Sequence, residues 1–416
     1  MKHKNNCGGL RFGVLSLLAL AGVAQAGPVI APQSPPVNLT PPAIADLGPS
    51  EMQVFPQNSA LSDMLDELHP LQWGPVTLRP HANYSFSYNT GIQSSTNQSN
   101  DSIVQTLSPG CLFVLGKHWT LDYTPTITFY SDKNLKDSVG HAVTLTGGTA
   151  YEDWVFGFSQ GFTYTDSPQS ETGTQTSQEN FSTSLTAAYQ INSEFSTDLA
   201  VNQNLAFTSG FQNTREWSTI DWLNYQAFPR LSFGVGGGGG YTEATPNSTQ
   251  EELRGRVNWR ATDKISFSVN GGAEFTQFTD GGAKPLVNPV YSGSIEYLPW
   301  KQTQVSIGAS RAVTASYYQN QVSESTSVNG GISQTFLKRF NFNVNSSYNW
   351  TTYVAAANGA SANSGVDYWS FNAQLGTSVF KRGTISIFYN YSENITTQPG
   401  LGYNSTQVGF NLGYAF

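Results

Sequence analysis

Residues 340–352 read FNFNVNSSYNWTT, and this stretch decides the fold. Every second side chain from Phe340 to Trp350 is apolar, aromatic or, at Ser346, small, and those between are asparagine or serine. A period of two places the two sets on opposite faces of a β-strand. The same alternation returns in ISFSVNGGAEFT (265–276) and in STQVGFNLGYAF (405–416). The pattern predicts amphipathic strands whose polar face carries few charges.

Eighteen such segments follow one another from Val76 to Phe416. After odd-numbered segments the connections are mostly long and polar, as in IQSSTNQSN (92–100), whereas after even-numbered ones they shrink to a few residues, as at Gly116-Lys117. This segregation is typical of an up-and-down antiparallel transmembrane β-barrel, so we predict an all-β barrel of about 18 strands, with 16 as the alternative. The segments are 76–88, 102–115, 118–130, 138–150, 154–165, 179–191, 195–207, 215–227 (the least regular), 230–242, 250–261, 264–277, 289–298, 302–315, 324–336, 340–352, 367–379, 384–393 and 405–416.

Composition indicates which face points outward. Only 12% of the 416 residues are charged and 13% are aromatic, whereas soluble domains carry about 25% charge. We therefore expect the apolar face to meet lipid and the polar face to line a wet interior, with closure satisfying every backbone group. The last strand ends at Phe416, which resembles the signal that Gram-negative barrels present for assembly. This implies outer-membrane lipid and the barrel assembly machinery as partners.

The N-terminal residues predict an export signal. Residues 1–26 combine a basic start, a short apolar run and the cleavage sequence Ala24-Gln25-Ala26. The run is short for a membrane anchor, the alternative reading, and cleavage would take the formal charge from −8 to −11. Residues 27–73 are Pro-rich and predict an extended periplasmic arm with a short helix at 59–68. The barrel is then expected over residues 74–416.

The stretch NQSNDSIVQTLSPGCLFVLGKHWTLDYTPTITFYSDK (97–133) carries a family resemblance. A polar loop ending in Asn-Asp leads into a strand with Ser-Pro-Gly, a tight turn, and then Trp-Thr-Leu-Asp-Tyr. This resembles the β-barrel porins found beside exopolysaccharide genes in Gram-negative bacteria, and the similarity extends over about 74–416. It implies an outer-membrane barrel that serves export of a surface polymer, and it brings no catalytic residues.

The position of each charged residue in the alternation, on the apolar or the polar face, predicts which of them line the lumen. Three arginines of one segment form a ladder, with glutamates on the next two segments. The two interpretations are a selective, charged constriction and salt bridges that only stiffen the wall, and both stay open. The predicted pore-lining residues are Asp122, Asp198, Arg230, Glu252, Arg254, Arg256, Arg260, Glu274 and Glu296. Aromatic residues near segment ends predict interfacial girdles: Trp119, Trp154, Tyr189, Trp259, Tyr297, Trp300, Trp350 and Trp369.

Other chemistry finds little support in the sequence. His81 is expected to face inward and His141 outward, and no nucleophile, base and acid are spaced to act together, so we predict no enzyme. Scattered histidines and the lone Cys111 of the mature chain predict no metal site, disulfide or cofactor. The run VGGGGGY (235–241) lacks the lysine of a phosphate loop. The acidic net charge disfavours nucleic acid.

The sequence therefore predicts a channel-forming barrel of the cell outer membrane that passes small polar solutes or a surface polysaccharide. The alternative is a non-conducting structural or adhesive barrel that acts through its long loops. The transported solute, the direction of transport and the oligomeric state stay open at this point.

Overall fold

The computed structural model describes residues 71–95, 98–169, 174–280, 284–316, 318–357, 365–380, 382–396 and 402–415. Within them the chain forms one continuous sheet. Its strands are β1 (Leu71–Trp73), β2 (Val76–Ser95), β3 (Gln98–Leu115), β4 (Trp119–Tyr130), β5 (Ser138–Tyr151), β6 (Trp154–Gln169), β7 (Thr174–Gln190), β8 (Phe195–Thr208), β9 (Thr214–Phe228), β10 (Leu231–Glu243), β11 (Ser248–Thr262), β12 (Ile265–Phe278), β13 (Leu286–Trp300), β14 (Thr303–Ala315), β15 (Gln321–Phe336), β16 (Phe340–Ala355), β17 (Val366–Val379), β18 (Gly383–Thr396) and β19 (Tyr403–Ala415).

Strands β2 to β19 form a closed ring of eighteen. Each pairs antiparallel with the next along the chain, and β19 closes the ring on β2 from Thr406↔Thr90 to Ala415↔His81. The predicted all-β, up-and-down fold with about 18 strands is thereby confirmed. The alternative of 16 strands is wrong. The least regular segment, 215–227, is a full strand, β9.

The short strand β1 stands outside the ring and pairs with the start of β2. Leu71–Trp73 belong to the predicted arm (27–73), and they pair with β2 without joining the ring. Gly74 adopts a positive φ of 60°, which lets the chain reverse ahead of Pro75. The predicted signal segment (1–26) and short helix (59–68) lie outside the described residues, where both stay predictions.

The barrel is apolar outside and polar inside, as the alternation predicts. On β3, Ile103 and Leu107 are exposed on the outer face, whereas Thr106 and Ser108 on the inner face are almost fully buried. Along the described strands the same pattern recurs, with exposed Leu, Val, Ile and aromatic side chains on one parity and Ser, Thr, Asn and Gln on the other. Among the described residues no helix is long and apolar enough to cross a membrane.

The connections divide between two edges of the barrel. At one edge, the tight-turn edge, they cover only 116–118, 152–153, 191–194, 229–230, 263–264, 301–302, 337–339 and 380–382. At the other, the loop edge, pairing continues further than the alternation: β2 runs to Ser95 and β3 starts at Gln98, so most of the predicted loop 92–100 is strand. The register of this hairpin shifts between Asn89 and Ile92, so the regular alternation ends there while backbone pairing continues.

One hairpin at the loop edge folds into the mouth of the barrel. We call its inward part the strap, residues 312–316 and 318–323 at the ends of β14 and β15. β14 leaves β13 after the pair Tyr291↔Arg311, and Val313 and Val322 then pack against Phe278 and Leu286.

The tip of the strap is held across the mouth by hydrogen bonds. The Gln212 side chain donates to the Ser316 backbone carbonyl at 3.1 Å. The backbone N–H of Asn320 donates to the Thr245 backbone carbonyl at 2.7 Å. Elsewhere at this edge Leu135, in the β4–β5 connection, is buried against Ile92, Val104 and Tyr130. Two inward-folded segments therefore narrow the opening at the loop edge.

Candidate functional site

The inner face of β8 to β12, which we call the charged wall, is built from three successive rows of cross-strand partners. They are ordered here from the tight-turn edge toward the loop edge. The first row holds Ser196, Asn224, Gly234, Arg256 and Asn270; the second holds Asp198, Trp222, Gly236, Arg254 and Gly272; the third holds Ala200, Ile220, Gly238, Glu252 and Glu274.

Arg256 is the centre of a buried polar cluster. Its guanidinium donates to the Asp198 carboxylate and, through Nε at 2.9 Å, to the Asn224 side-chain oxygen. Asn224 in turn donates to Asp198 at 2.9 Å, so the three side chains form a closed triangle. Only 2% of the Arg256 side chain and 7% of the Asp198 side chain are exposed. A buried cation is tolerated here because the Asp198 carboxylate matches its charge and because Nε and Nη2 both donate hydrogen bonds.

The glycines of β10 make room for this cluster. The Arg256 guanidinium lies 4.4 Å from the centre of the Trp222 ring, and both side chains lie flat over β10. A Cβ on Gly234 would approach the Arg256 side chain to 2.7 Å, and one on Gly236 would approach the Trp222 ring to 2.6 Å. The run VGGGGGY therefore lets bulky side chains approach the backbone closely, as glycine in a strand often does.

The charged residues of the third row are both glutamates. Glu252 pairs with Arg254 at 2.5 Å and faces Glu274 on the next strand. Glu274 is 7% exposed and accepts a hydrogen bond from Thr276 at 3.2 Å. Glu216, at an inward position of β9 nearer the loop edge, adds a carboxylate that the sequence analysis missed, together with Trp222. Both share the inward parity of Asn224, and the irregular alternation of this segment concealed it.

The other predicted pore-lining residues do not join the charged wall. Asp122 faces inward on β4 and lies 3.2 Å from His81 Nε2. Glu296 accepts hydrogen bonds from Ser266 at 3.4 Å and from Gln304. Arg260 faces inward on β11 but lies near the tight-turn edge, away from Arg254 and Arg256.

The structure corrects the placement of Arg230. β10 begins at Leu231, so Arg230 lies in the 229–230 turn, where it pairs with Asp263 at 2.6 Å. Both side chains are more than half exposed. The predicted strand starts at residue 230, but Pro229 and Arg230 form the turn that reverses the chain between β9 and β10. Arg230 is a turn residue and not part of the predicted lining.

A second inner surface, the amide wall, covers β17 to β19 and β2. The Asn372 side chain donates to Asn390, Asn390 donates to Gln407 at 2.8 Å, and Gln407 donates to Ser87 at 3.1 Å. This chain of neutral groups runs across four strands and over the closure between β19 and β2. The alternation places all of its members on the inward face, so the sequence carries the signal for this wall.

Aromatic residues occupy both faces. The predicted girdle residues Trp119, Trp259, Tyr297, Trp300 and Trp350 are exposed on the outer surface. Phe388 and Tyr130, predicted to face inward, lie on the inner face, where Phe388 is buried and Tyr130 is partly buried. Tyr353 and Tyr368 are also buried on this face, near the loop edge.

Two further features concern ligands. Within the described ranges, no group of three or more His, Cys, Asp and Glu residues is placed to hold a metal ion. An apolar groove of about 490 Å³, lined mainly by Trp119, Phe156, Phe158, Leu185 and Val201, lies on the outer surface and not in the lumen.

Comparisons with known proteins give no family. No protein-family model matches the chain, and no curated protein matches it. Among solved structures, Pseudomonas aeruginosa OpdK with vanillate is 10% identical with a TM-score of 0.45, over 82% of this chain and 99% of that one. P. aeruginosa OccD3 (OpdP) is 11% identical with a TM-score of 0.45, over 82% and 91%. The P. aeruginosa siderophore receptor PirA is 9% identical with a TM-score of 0.40, over 81% and 80%. At these values the similarities carry no functional argument.

Proposed function

We propose that this chain is a porin-like channel of the outer membrane that passes small polar solutes through its lumen. One observation carries the proposal: the ring of eighteen strands is closed, with exposed apolar side chains outside and polar side chains inside. A soluble barrel would bury its apolar side chains, whereas a lipid-embedded one exposes them. Closure also leaves no unpaired strand edge in lipid.

The strand number supports a lumen wide enough for hydrated solutes. Strands spaced about 4.8 Å apart and tilted by about 40° give a circular eighteen-stranded barrel a backbone radius of roughly 18 Å. Inward side chains reduce this opening, and the strap narrows it further at the loop edge. Short turns lie on the periplasmic side of such barrels, so the strap would face the outside of the cell.

The cellular setting is part of the same proposal. We infer that residues 1–26 direct export and are cleaved, that lipid surrounds the barrel, and that the assembly machinery inserts it. The finer substrate proposal, export of a surface polysaccharide, is favoured by the amide wall, whose neutral donors and acceptors suit sugar hydroxyl groups. No contact among the described residues favours an enzymatic function over a channel.

Reconstitution tests conduction directly. The refolded protein in planar bilayers should give stepwise conductance, because a wet lumen connects the two sides. Gln212→Ala removes a hydrogen bond that holds the strap and serves as a second variant, expected to conduct at least as well as the wild type. If neither protein conducts although both are folded, the channel proposal fails and the structural or adhesive barrel replaces it.

Ion selectivity tests the role of the charged wall. Its strands bring Asp198, Glu216, Glu252 and Glu274 together with Arg254 and Arg256, an excess of carboxylates that should favour cations. Glu252→Gln with Glu274→Gln should lower the cation preference measured as a reversal potential under a salt gradient. Asn390→Asp on the amide wall, the matched control of opposite sign, should raise it. An unchanged reversal potential in both variants would show that these walls do not set selectivity.

A further inference from the structure

The short strand β1 fixes where the N-terminal arm leaves the barrel. β1 pairs with β2 over residues 76–78, where β3 occupies the other edge of β2. It therefore lies in line with β19, whose pairing with β2 ends at His81. At the end of β19, the backbone N–H of Ala415 donates to the Arg382 carbonyl at 3.0 Å. The chain that precedes β1 thus leaves at the tight-turn edge, beside the turn between β17 and β18.

Three consecutive turns of this edge carry cations and no acidic residue. They join β13 to β14, β15 to β16 and β17 to β18, and their described cations are Lys301, Lys338, Arg339 and Arg382. On the opposite side of the ring, the turns from β5 to β6 and from β7 to β8 carry three carboxylates and no cation. A bilayer surrounds the whole ring evenly, so the one-sided charge favours a partner that reaches only one side.

The same cationic turns display large apolar side chains beyond the strands. Leu337 is 78% exposed and Phe380 is 91% exposed. Leu337, Lys338 and Phe380 have positive φ values of 51°, 62° and 62°, a conformation that asparagine and glycine adopt at lower cost. Bulky side chains held in this conformation point to a contact that uses them.

The predicted arm has the complementary character. Residues 27–70 contain five acidic residues and no lysine or arginine. In the predicted helix at 59–68, which lies outside the described part of the chain, a period of 3.6 puts the apolar residues on one face and the acidic residues on the opposite face. The apolar residues are Leu61, Met64, Leu65 and Leu68, and the acidic ones are Asp63, Asp66 and Glu67.

We propose that the acidic segment 59–68 docks on the three cationic turns at the tight-turn edge. The apolar face of the segment covers Leu337 and Phe380, and its carboxylates face the cations beside them. We call the docking surface the cationic rim, and it consists of Lys301, Leu337, Lys338, Arg339, Phe380 and Arg382.

The lengths of chain fit this contact. Neighbouring strands lie about 4.8 Å apart and tilt by about 40°, so successive turns are about 12 Å apart along the edge. A helix over 59–68 would be about 15 Å long, enough to span two successive turns. Only His69 and Pro70 separate this segment from β1, and such a tether reaches at most about 10 Å. It brings the segment to the nearest cationic turn and keeps it away from the acidic turns.

Distances between spin labels test the contact in the full chain, with Cys7 and Cys111 replaced by serine. One label is placed at Ser62→Cys in the segment, and the second at Gln302→Cys beside the cationic rim or at Ser193→Cys in an acidic turn. Pulsed electron paramagnetic resonance in detergent and in phosphatidylcholine bilayers measures both distributions. We expect a narrow distribution to Gln302→Cys with a shorter mean than that to Ser193→Cys. In about 1 M salt, where the Debye length is about 3 Å, it should broaden about twofold.

Charge reversal tests whether the cationic rim holds the segment. Lys338→Glu with Arg339→Glu should broaden the distribution to Gln302→Cys as salt does. Lys133→Glu with Lys136→Glu changes the net charge equally at exposed positions of the loop edge and is the matched control. This control should keep the narrow distribution of the wild type.

A charge exchange tests the direct pairing of the two partners. Asp66→Lys and Glu67→Lys, added to Lys338→Glu with Arg339→Glu, should restore the narrow distribution because attraction is re-established with the signs reversed. If each pair of substitutions alone broadens the distribution and the combination does not recover it, the segment and the rim are not partners.

The apolar part of the rim is tested by Leu337→Asn with Phe380→Asn. Asparagine suits the positive φ values of these positions, so the barrel should be at least as stable as the wild type in urea. Docking should nevertheless weaken, because the segment loses two apolar contacts. A distribution as narrow as that of the wild type would show that these side chains serve only their turns and would overturn their place in the rim.

The remaining outcomes decide the proposal without reference to conduction. A broad wild-type distribution to both reference labels overturns it, and so does a narrow one that persists after charge reversal at the rim. If the distribution narrows only in bilayers that contain phosphatidylglycerol, anionic lipid and not the rim holds the segment, and the proposal fails. Each of these results leaves the channel proposal standing, because bilayer conductance tests that separately.

Discussion

The charged wall and the amide wall occupy the same inward parity of one barrel, yet they are organised in opposite ways. In the charged wall, Asp198 and Arg256 are buried and depend on one another through a closed triangle with Asn224. In the amide wall, each side chain donates to the next, so that Asn390 and Gln407 act as both donors and acceptors. Substituting one side chain should therefore lower the stability of the protein more in the charged wall than in the amide wall.

The difference shows which polar side chains of the interior contribute most to the free energy of unfolding. An ion pair removed from water leaves an uncompensated charge when one partner is lost. A neutral amide leaves one weaker hydrogen bond to be replaced by water. The charged wall should thus be sensitive to single substitutions and set local fields, whereas the amide wall should tolerate them.

The largest effect is expected at Arg256. Arg256→Met leaves the Asp198 carboxylate buried without its cation, which should lower the free energy of unfolding by about 3–5 kcal/mol. Urea titration in detergent, followed by tryptophan fluorescence, measures it. The double variant Asp198→Asn with Arg256→Met should recover most of the loss, because no charge stays buried. A loss below about 1 kcal/mol for Arg256→Met would mean that the triangle is hydrated and that the contrast between the walls is absent.

A smaller effect is expected at the glycine run. Gly236→Ala places a Cβ at 2.6 Å from the Trp222 ring, so the ring and the Arg256 side chain over it must shift, at about 1–3 kcal/mol. Gly237→Ala is the adjacent control, whose Cβ points outward into open space. Equal stability and equal tryptophan emission of the two variants would contradict the close packing of Trp222.

The smallest effect is expected in the amide wall. Gln407→Ala removes the link between Asn390 and Ser87, which should cost about 0.5–1.5 kcal/mol. Gln374→Ala, which loses a 2.8 Å bond to Ser386 within the β17–β18 pair, is the matched control and should cost a similar amount. If Gln407→Ala lowered the free energy of unfolding as much as Arg256→Met, the two walls would not differ in their sensitivity to substitution.

The fold was predictable because period-two alternation is a local property. The segments at 265–276 and 340–352 repeat it without interruption, and each became a strand with the predicted face outward. The strand ends were less predictable. The pairing of β2 with β3 shifts in register between Asn89 and Ile92 and again between Gln93 and Ser95, so alternation no longer reports pairing there.

The site was only partly predictable. Parity placed Asp198, Arg254, Arg256 and Glu274 on the inner face, but their partners depend on cross-strand register, which no single segment encodes. Register brings Arg256 to Asp198, from which 58 residues separate it, rather than to Glu296. The strap was not foreseeable either, since Val313 and Val322 continue an outward alternation and become buried only where the hairpin leaves β13.

The closure between β19 and β2 has a kinetic consequence. Every other neighbouring pair in the ring is a hairpin between consecutive strands, but Thr90 and Thr406 meet across 316 residues of chain. Local hairpins form early, whereas such a distant contact must wait until nearly the whole chain is present. Until that moment two unpaired edges are exposed and invite pairing with other chains. Ring closure is therefore expected to be the slow step of folding, and a chain truncated before β19 should aggregate.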